Sequence, residues 1–208
     1  MTASTVYTVG HSTHPIDRFL ELLQRHGIRV VADVRSTPFS RFNPQFNRAN
    51  LGQGLTSAGI RYEFMGQELG ARTSDPSCFE NGRVSYARLA ATPLFQRGLA
   101  RLRELARTER VAMMCAEREP LDCHRTILIA REMERAGDAV THILADGTLE
   151  PNRQAMSRLI ARLGLPADDL FADSPEQIEA AYDAQASKVA WAPKVGKESG
   201  VRRSKPSA

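Results

Sequence analysis

Hydrophobic residues near the start of the chain form two short runs, separated by a segment with helical spacing. Residues 6–9 form a mostly apolar run that ends at Gly10, and residues 28–34 form a longer one that only two charged residues interrupt. Between these runs, apolar residues recur at helical spacing over positions 16–23, and Gly27 ends the pattern. Continuous apolar runs are typical of parallel strands that are buried on both faces. The pattern therefore predicts a strand–helix–strand unit.

The same alternation continues to about residue 146. Three further strands are predicted at residues 61–64, 110–115 and 139–144, the third being the last strand of the sheet. Helices are predicted between them at residues 48–58, 85–91, 93–108 and 122–136. In the last of these helices, Asp122 is the expected N-cap. The fold class predicted is α/β: a three-layer sandwich with a mainly parallel, Rossmann-like sheet, followed by a helical C-terminal extension.

Three parts of the chain differ in composition. Residues 1–150 form the α/β domain with the predicted site, and residues 151–187 form an extension with helices at 152–163 and 174–186. Residues 188–208 are rich in Pro, Gly, Ser and Lys, which predicts a disordered tail. All four lysines lie in this tail, which accounts for the net charge of +4. The positive charge therefore belongs to the tail and does not by itself indicate a nucleic-acid-binding domain.

Composition indicates a cytoplasmic globular protein. No apolar run approaches the roughly 18 residues that span a membrane. The first residues lack the basic start and the long apolar stretch of a signal peptide. In the cytoplasm, Cys78, Cys115 and Cys123 are expected to be free thiols. No membrane partner is predicted, and the oligomeric state is left open.

Polar residues lie at the carboxyl ends of three predicted strands. His11 follows the first strand, Asp33 lies near the end of the second, and Cys115 and Glu117 lie at the end of the fourth. In open parallel sheets, ligands bind at this edge. These four residues are the predicted catalytic groups. Cys115 or Glu117 would do covalent or acid–base work, and His11 would assist.

The role of each cysteine in this region has an alternative. Cys115 is a candidate nucleophile if nearby arginines or a helix N-terminus lower its thiol pKa, and it equally suits a buried packing position. Cys123 is expected to be a resolving thiol or a packing residue. With His124 and His11, the two thiols offer zinc-ligand chemistry, but the paired CxxC spacing of structural zinc sites is absent. No metal and no cofactor are therefore predicted.

Acidic residues are absent between residues 34 and 62, a segment that contains four arginines and three phenylalanines. Arginine matches the geometry of phosphate, and aromatic rings stack on bases. The alternative is a solvated face beside a small satellite core. The predicted substrate-binding residues are Arg35, Ser40, Arg41, Phe46, Tyr62, Cys123, His124 and Arg125. The expected partner is an anionic substrate, either a nucleotide or a nucleic acid.

Three separated motifs resemble one known family. They are Tyr7-Thr8-Val9-Gly10-His11-Ser12-Thr13, Val31-Ala32-Asp33-Val34-Arg35-Ser36-Thr37-Pro38, and Cys115-Ala116-Glu117 followed by Cys123-His124-Arg125. Together with residues 38–46, they are similar to the family called domain of unknown function 488, over about residues 5–146. The resemblance implies the same fold and the same site residues, but it implies no reaction.

Three functions are consistent with the sequence. The first is an enzyme, a hydrolase or a transferase, that acts on a nucleotide, a nucleic acid or another phosphorylated substrate, with Arg35 and Arg125 holding the anionic group. The second is a non-catalytic nucleic-acid-binding module that uses the arginine and phenylalanine segment and the basic tail. The third is a redox or metal sensor that uses Cys115 and Cys123. The convergence of polar strand ends favours the first.

Overall fold

A six-stranded sheet forms the centre of the computed structural model, which describes residues 5–165 and 174–193. The strands of the molecule are β1 (Thr5–Gly10), β2 (Val30–Asp33), β3 (Arg61–Phe64), β4 (Phe79–Glu80), β5 (Arg83–Val84), β6 (Val111–Cys115), β7 (Ala139–Ile143) and β8 (Leu149–Pro151). Strands β4 and β5 form a separate hairpin, and the main sheet has the order β3-β2-β6-β1-β7-β8. All neighbours in it pair in parallel except β7 and β8. The mainly parallel α/β sheet predicted from the sequence is confirmed.

Helices cover both faces of this sheet. They are α1 (Ile16–Arg25), α2 (Arg48–Ser57), α3 (Gly66–Leu69), α4 (Tyr86–Ala90), α5 (Pro93–Thr108), α6 (Arg131–Arg135), α7 (Asn152–Leu163) and α8 (Pro175–Val189). A π-helical segment, Arg125–Ala130, leads directly into α6. Helices α1 and α2 pack on one face and the others on the opposite face, which gives the predicted three layers. No helix in the described ranges is long and apolar enough to cross a membrane.

Alternate residues of each central strand belong to different cores. In β1, Val6 packs under the C-terminal helices, whereas Val9 packs under α1 and α2. Strand β6 alternates in the same way, with Met113 in the first core and Met114 in the second. Burial on both faces is the reason that these strands appear in the sequence as continuous apolar runs.

Strand β6 lies between β1 and β2, so the first strand–helix–strand unit joins strands that are not neighbours. Gly10 of β1 pairs with Cys115, and Asp33 of β2 pairs with Met114. Parallel neighbours end at the same edge of a sheet. The insertion of β6 therefore brings the carboxyl ends of three strands, and the residues that follow them, to one place.

Two boundaries predicted from the sequence are wrong. Strand β7 is not the last strand of the sheet, because β8 adds an antiparallel edge. Asp122 is not the N-cap of the helix after β6, because it ends a 3₁₀ helix, Pro120–Asp122. Cys123 takes the cap position instead: its backbone is extended, and its carbonyl accepts hydrogen bonds from the amides of Thr126 and Ile127.

The C-terminal extension shares the core of the α/β domain. Met156 of α7 and Tyr182 of α8 are buried in the same core as the central strands. The predicted disordered tail begins too early, because α8 continues to Val189 and both Ala190 and Trp191 pack against the core. Ala190 is buried, and the carbonyl of Trp191 accepts a hydrogen bond from the amide of Val84. The rest of the predicted tail, residues 194–208, lies outside the described residues.

A chain of buried hydrogen bonds joins the sheet to the extension through His142. His142 Nε2 donates to Asn152 Oδ1 at 3.0 Å. Since a neutral imidazole carries one proton, His142 Nδ1 accepts a hydrogen bond from the Thr8 hydroxyl at 2.8 Å. The Asn152 amide also donates to the Tyr182 hydroxyl at 2.7 Å. This pattern requires a neutral imidazole. Burial and the charge of Arg125 lower the pKa of His142 to about 4.

His142 should make the stability of the fold depend on pH. In the unfolded chain its pKa is about 6.5, so the unfolded state binds the proton more readily than the folded state does. The stabilisation is complete above this value and is lost as the pH falls through about 4. Between about pH 7.5 and about pH 5, the native chain should lose roughly 2 kcal/mol more than His142→Gln in the free energy of unfolding. Urea unfolding of both proteins measures this difference, and equal losses would contradict the assignment.

Candidate active site

A cleft with a volume of about 550 Å³ opens at the carboxyl ends of β1, β2 and β6. The segments that follow these three strands supply most of its lining. Val189 at the end of α8 and Trp191 just beyond it also line the cleft. A volume in this range accommodates a small-molecule ligand.

Seven of the twelve site residues predicted from the sequence line this cleft: His11, Arg35, Ser40, Cys115, Glu117, Cys123 and His124. Five do not: Asp33, Arg41, Phe46, Tyr62 and Arg125. The first seven side chains can therefore contact a ligand in the cleft, whereas the other five lie behind the cleft or outside it.

A buried ion pair fixes the side chain of Arg35. Its Nε donates to Asp33 Oδ1 at 2.9 Å, and its Nη2 donates to Asp33 Oδ2 at 2.6 Å. Nη2 also donates to the backbone carbonyl of Phe46 at 2.9 Å, which ties the loop after β2 to the sheet. Although burial acts against the charge, the Asp33 carboxylate raises the pKa of Arg35. The guanidinium of Arg35 therefore has a structural role, and few of its N–H groups remain to bind a substrate.

The structure places Asp33, which the sequence predicts to be catalytic, outside the cleft lining. The side chain is fully buried, and its carboxylate accepts four hydrogen bonds. Three come from the amide, Nε and Nη2 of Arg35, and the fourth comes from the Tyr62 hydroxyl at 2.8 Å. Tyr62 therefore supports Asp33 and does not line the cleft, contrary to its predicted role in binding.

His11 is held in one orientation by its neighbours. Its Nδ1 donates to the carbonyl of Ser12 at 2.8 Å, so Nε2 accepts from Arg35 Nη1 at 3.1 Å. The ring stacks on Phe46, with centroids 4.2 Å apart, which places Phe46 behind the site and not in it. Burial and the charge of Arg35 lower the pKa of His11 to about 4. Both ring nitrogens of the neutral imidazole are already engaged.

Arg125 lies behind the cleft, although the sequence predicts that it binds an anion. Its side chain is 1% exposed. It donates to the carbonyls of Glu117 at 2.7 Å and Arg118 at 3.3 Å, and to the Thr8 hydroxyl at 3.3 Å. These bonds hold the segment after β6 against β1, so the donor groups of Arg125 are used within the protein.

The loop between β2 and α2 presents one predicted residue to the cleft and one to solvent. Ser40 lines the cleft, and its hydroxyl oxygen accepts a hydrogen bond from the backbone N–H of Asn43 at 3.0 Å. Arg41 is exposed outside the cleft, where its guanidinium lies 5.9 Å from the ring centroid of Phe42. The structure therefore does not bring Arg41 to the other site residues.

Two thiols and an imidazole converge beside the cleft. Cys115 Sγ and Cys123 Sγ lie 3.7 Å and 3.8 Å from His124 Nδ1. His124 Nε2 donates to the carbonyl of Val34 at 3.1 Å, which directs Nδ1 toward the two sulfurs. In the described parts of the chain, these three residues are the group whose donor atoms lie close enough to share a metal ion.

The carboxyl group of Glu117 extends this cluster. Cys123 Sγ donates to Glu117 Oε2 at 3.0 Å. The surrounding protein and the Cys123 sulfur raise the pKa of the Glu117 carboxyl, although the residue as a whole reaches the surface. Burial acts against ionisation of Cys123, but its hydrogen bond with Cys115 and the charge of Arg125 lower its thiol pKa. The hydrogen bond to Cys123 and burial raise the pKa of the Cys115 thiol.

Close packing around β1 explains the glycine at its end. The segment after β6 runs against β1, where the amides of His11 and Ser12 donate to the carbonyls of Cys115 and Ala116 at 2.8 Å and 3.0 Å. A Cβ on Gly10 would lie 1.9 Å from the carbonyl oxygen of Glu117. Any larger residue at this position would push the thiol cluster away from β1.

The lining residues that were not assigned to the site from the sequence include Phe39, Arg72 and Trp191. Phe39 belongs to the arginine and phenylalanine segment, and its exposure distinguishes it from the buried Phe46. Arg72 follows α3, and Trp191 lies in the predicted tail. A single tryptophan in a polar, lysine-containing segment is the signal that could have indicated packing at this place.

Comparison with known proteins gives one family. The family model described as Domain of unknown function DUF488 matches residues 15–131. This segment contains Arg35 and the thiol cluster, whereas His11 and Trp191 lie on either side of it. No curated protein and no solved structure gave a match. No activity follows from these comparisons.

The ion pair beneath the cleft should contribute far more to stability than a surface pair does. Asp33→Asn leaves the buried guanidinium without a charged partner, and we expect it to lower the free energy of unfolding by about 3–5 kcal/mol. Glu80→Gln removes one partner of the exposed Arg88–Glu80 pair and should cost at most about 1 kcal/mol. Chemical denaturation of both variants tests this, and equal costs would show that Asp33 does not anchor the site.

Proposed function

The chain belongs to the DUF488 family, as its sequence motifs predict, and since that family's description names no reaction, we propose a function from the site alone. We propose that the cleft is the active site of an enzyme that acts on a nucleotide or a similar phosphorylated substrate. The observation that carries the proposal is the meeting of reactive groups and ligand-binding groups in one cleft. Cys115, Glu117, Cys123 and His124 share its lining with three aromatic residues and two arginines.

Arg72 is the arginine best placed to bind a phosphate group. It is exposed, it lines the cleft, and in the described ranges no carboxylate pairs with it. Its backbone amide donates to the Ser36 hydroxyl oxygen at 3.0 Å, and its guanidinium lies 6.0 Å from the ring centroid of Trp191. Arg35 can add no more than its remaining Nη1 hydrogen, because its other donors are used. In this proposal, Arg72 binds the anionic group of the substrate, a role that the sequence analysis assigned to Arg35 and Arg125.

Two aromatic side chains in the cleft suit a planar base. Phe39 is 67% exposed, and Trp191 is half-buried. An exposed ring near a free arginine is the arrangement that binds bases by stacking and phosphates by charge. Exposure of so large an apolar side chain is also typical of a contact surface.

The proposal assigns acid–base chemistry to Glu117. Glu117 lines the cleft, and its Oε2 lies 3.0 Å from Cys123 Sγ. A substrate in the cleft would therefore lie near both Glu117 and the thiol cluster. His11 is assigned a positioning role, because its two ring nitrogens are held by Ser12 and Arg35. This assignment differs from the sequence prediction, in which His11 assists as an acid or a base.

A non-catalytic nucleic-acid-binding module is the second candidate function. The observation that favours it is the exposure of Phe42, which is 87% exposed beside Arg41 and outside the cleft. Together with Phe39, these residues form a surface on which a single strand could stack. In this alternative, Phe42 contributes to binding as much as Phe39 does, and no substrate is converted.

The single tryptophan makes occupancy of the cleft measurable. Nucleoside monophosphates should change the fluorescence of Trp191. Phe39→Ala should weaken that binding about 5- to 150-fold, because stacking on one ring is worth about 1–3 kcal/mol, and Arg72→Gln should also weaken it because the charge that binds the phosphate is lost. Phe42→Ala and Arg41→Gln are the matched controls on the exposed loop, and they should bind like the native chain. Equal weakening by Phe39→Ala and Phe42→Ala would favour the nucleic-acid-binding module.

Turnover separates the enzyme from the binding module. The native chain should convert one or more members of a nucleotide mixture, as followed by mass spectrometry. Glu117→Gln should lower kcat by about 10²–10⁴-fold while nucleotide binding is retained, because acid–base catalysis contributes a factor of that size. Asp122→Asn changes another carboxylate of the cleft lining, one that pairs with Arg162, and should retain activity. Nucleotide binding without any conversion would overturn the proposed enzyme.

A further inference from the structure

The folded chain brings together three metal-ligating side chains that lack the paired spacing of structural zinc sites in the sequence. We propose that Cys115, Cys123 and His124 bind a zinc ion, with the fourth position of the ion open to the cleft. Sulfur and imidazole nitrogen are the ligands that zinc prefers in proteins. The three donor atoms lie within 4.8 Å of one another.

The distances match a tetrahedral ion. Zinc bonds of about 2.3 Å to sulfur and about 2.0–2.1 Å to nitrogen place these two atoms about 3.6 Å apart at a tetrahedral angle. Cys115 Sγ lies 3.7 Å from His124 Nδ1, and Cys123 Sγ lies 3.8 Å from the same atom. The two sulfur–nitrogen distances therefore need to change by no more than a few tenths of an ångström to suit the ion.

The orientation of His124 is that of a metal ligand. Its Nε2–H is bound to the carbonyl of Val34 at 3.1 Å, so the remaining nitrogen faces the sulfurs. Such a bond from the outer nitrogen to a backbone carbonyl fixes the ring of a metal-binding histidine. The carbonyl lies at the end of β2, whereas the ring belongs to the segment after β6, so tertiary structure sets the orientation.

Burial of the three ligands favours an ion over two thiol protons. Cys115 is 3% exposed and Cys123 is 1% exposed. A disulfide is the competing use of the same thiols, but it would leave the inward-facing nitrogen of His124 without a donor. One divalent ion neutralises two thiolates and satisfies the imidazole at once, which removes the cost of unpaired buried polar atoms.

The proposal assigns the open fourth position of the ion to the side of Glu117. Its carboxyl oxygen lies 3.0 Å from Cys123 Sγ, and the residue lines the cleft. Catalytic zinc sites keep one position for water or substrate, and the ion lowers the pKa of the bound water to about 7. We assign Glu117 as the acceptor of a proton from that water, because its carboxyl group contacts one of the proposed ligands. This catalytic role rests on the proposed function, whereas binding of the ion rests on ligand geometry alone.

The first test measures metal in the full-length chain, produced without an affinity tag that binds metal and with zinc in the growth medium. Elemental analysis should find about one zinc ion per chain. Zinc-edge X-ray absorption should show two sulfur ligands and one or two nitrogen or oxygen ligands. This measurement needs no variant, so it remains decisive if substitution of a buried cysteine prevents folding.

Variants assign the ligands. Cys123→Ser and His124→Ala should each lose most of the zinc, and cobalt-loaded protein should lose its sulfur-to-metal charge-transfer absorption. Cys78→Ala is the matched control, because Cys78 is equally buried and lies away from the cleft. It should retain the metal, and so should Glu117→Gln if the fourth position is open. Loss of zinc from Glu117→Gln would overturn the open fourth position.

Failure of the metal site and failure of the proposed function give different results. Protein that contains no zinc, and that binds neither zinc nor cobalt when reduced, overturns the site. A mass lower by two hydrogens, with Cys115 and Cys123 joined, would show a redox pair instead and also overturns it. Zinc bound in a chain that neither binds nor converts nucleotides would leave the site in place and overturn the proposed function.

Discussion

The buried ion pair between Asp33 and Arg35 is the interaction on which the candidate site depends. It fixes the end of β2, and through the carbonyl of Phe46 it also fixes the loop that carries Phe39. The same guanidinium orients His11 at the end of β1. A buried ion pair is costly to break, since removing one partner leaves a buried charge. The buried charges of Asp33 and Arg35 therefore hold the ends of the strands in place, and more exposed side chains are left to contact a ligand.

The order of the strands sets the second constraint. Because β6 lies between β1 and β2, the segment that follows it must run against both neighbours. Gly10 permits that approach on one side, and the carbonyl of Val34 receives His124 on the other. The thiol cluster is thus assembled from a strand end and the start of a helix, and its geometry is set by tertiary contacts. In the proposed enzyme, this cluster supplies the reactive groups, and the exposed side chains of Phe39 and Arg72 bind the substrate.

Much of the fold could be predicted from the sequence, and the reason is physical. Strands buried on both faces produce apolar runs that need no knowledge of their neighbours. The location of the site followed from the same argument, since seven predicted residues line the cleft. The roles of the arginines could not be predicted, because the donor groups of Arg125 meet backbone carbonyls that only the folded chain brings near. Trp191 was missed because the polar composition of its segment conceals a packed position, and the thiol cluster lacks the paired spacing that would indicate a metal site in the sequence.

The most direct test of the account is a crystal structure of the full chain grown with zinc and a nucleoside monophosphate, with anomalous scattering recorded at the zinc edge. The account predicts one anomalous peak within bonding distance of Cys115, Cys123 and His124. It also predicts a base in contact with Phe39 or Trp191 and a phosphate near Arg72. A nucleotide bound away from the cleft, or zinc bound only at surface side chains, would contradict the claim that these groups form one site.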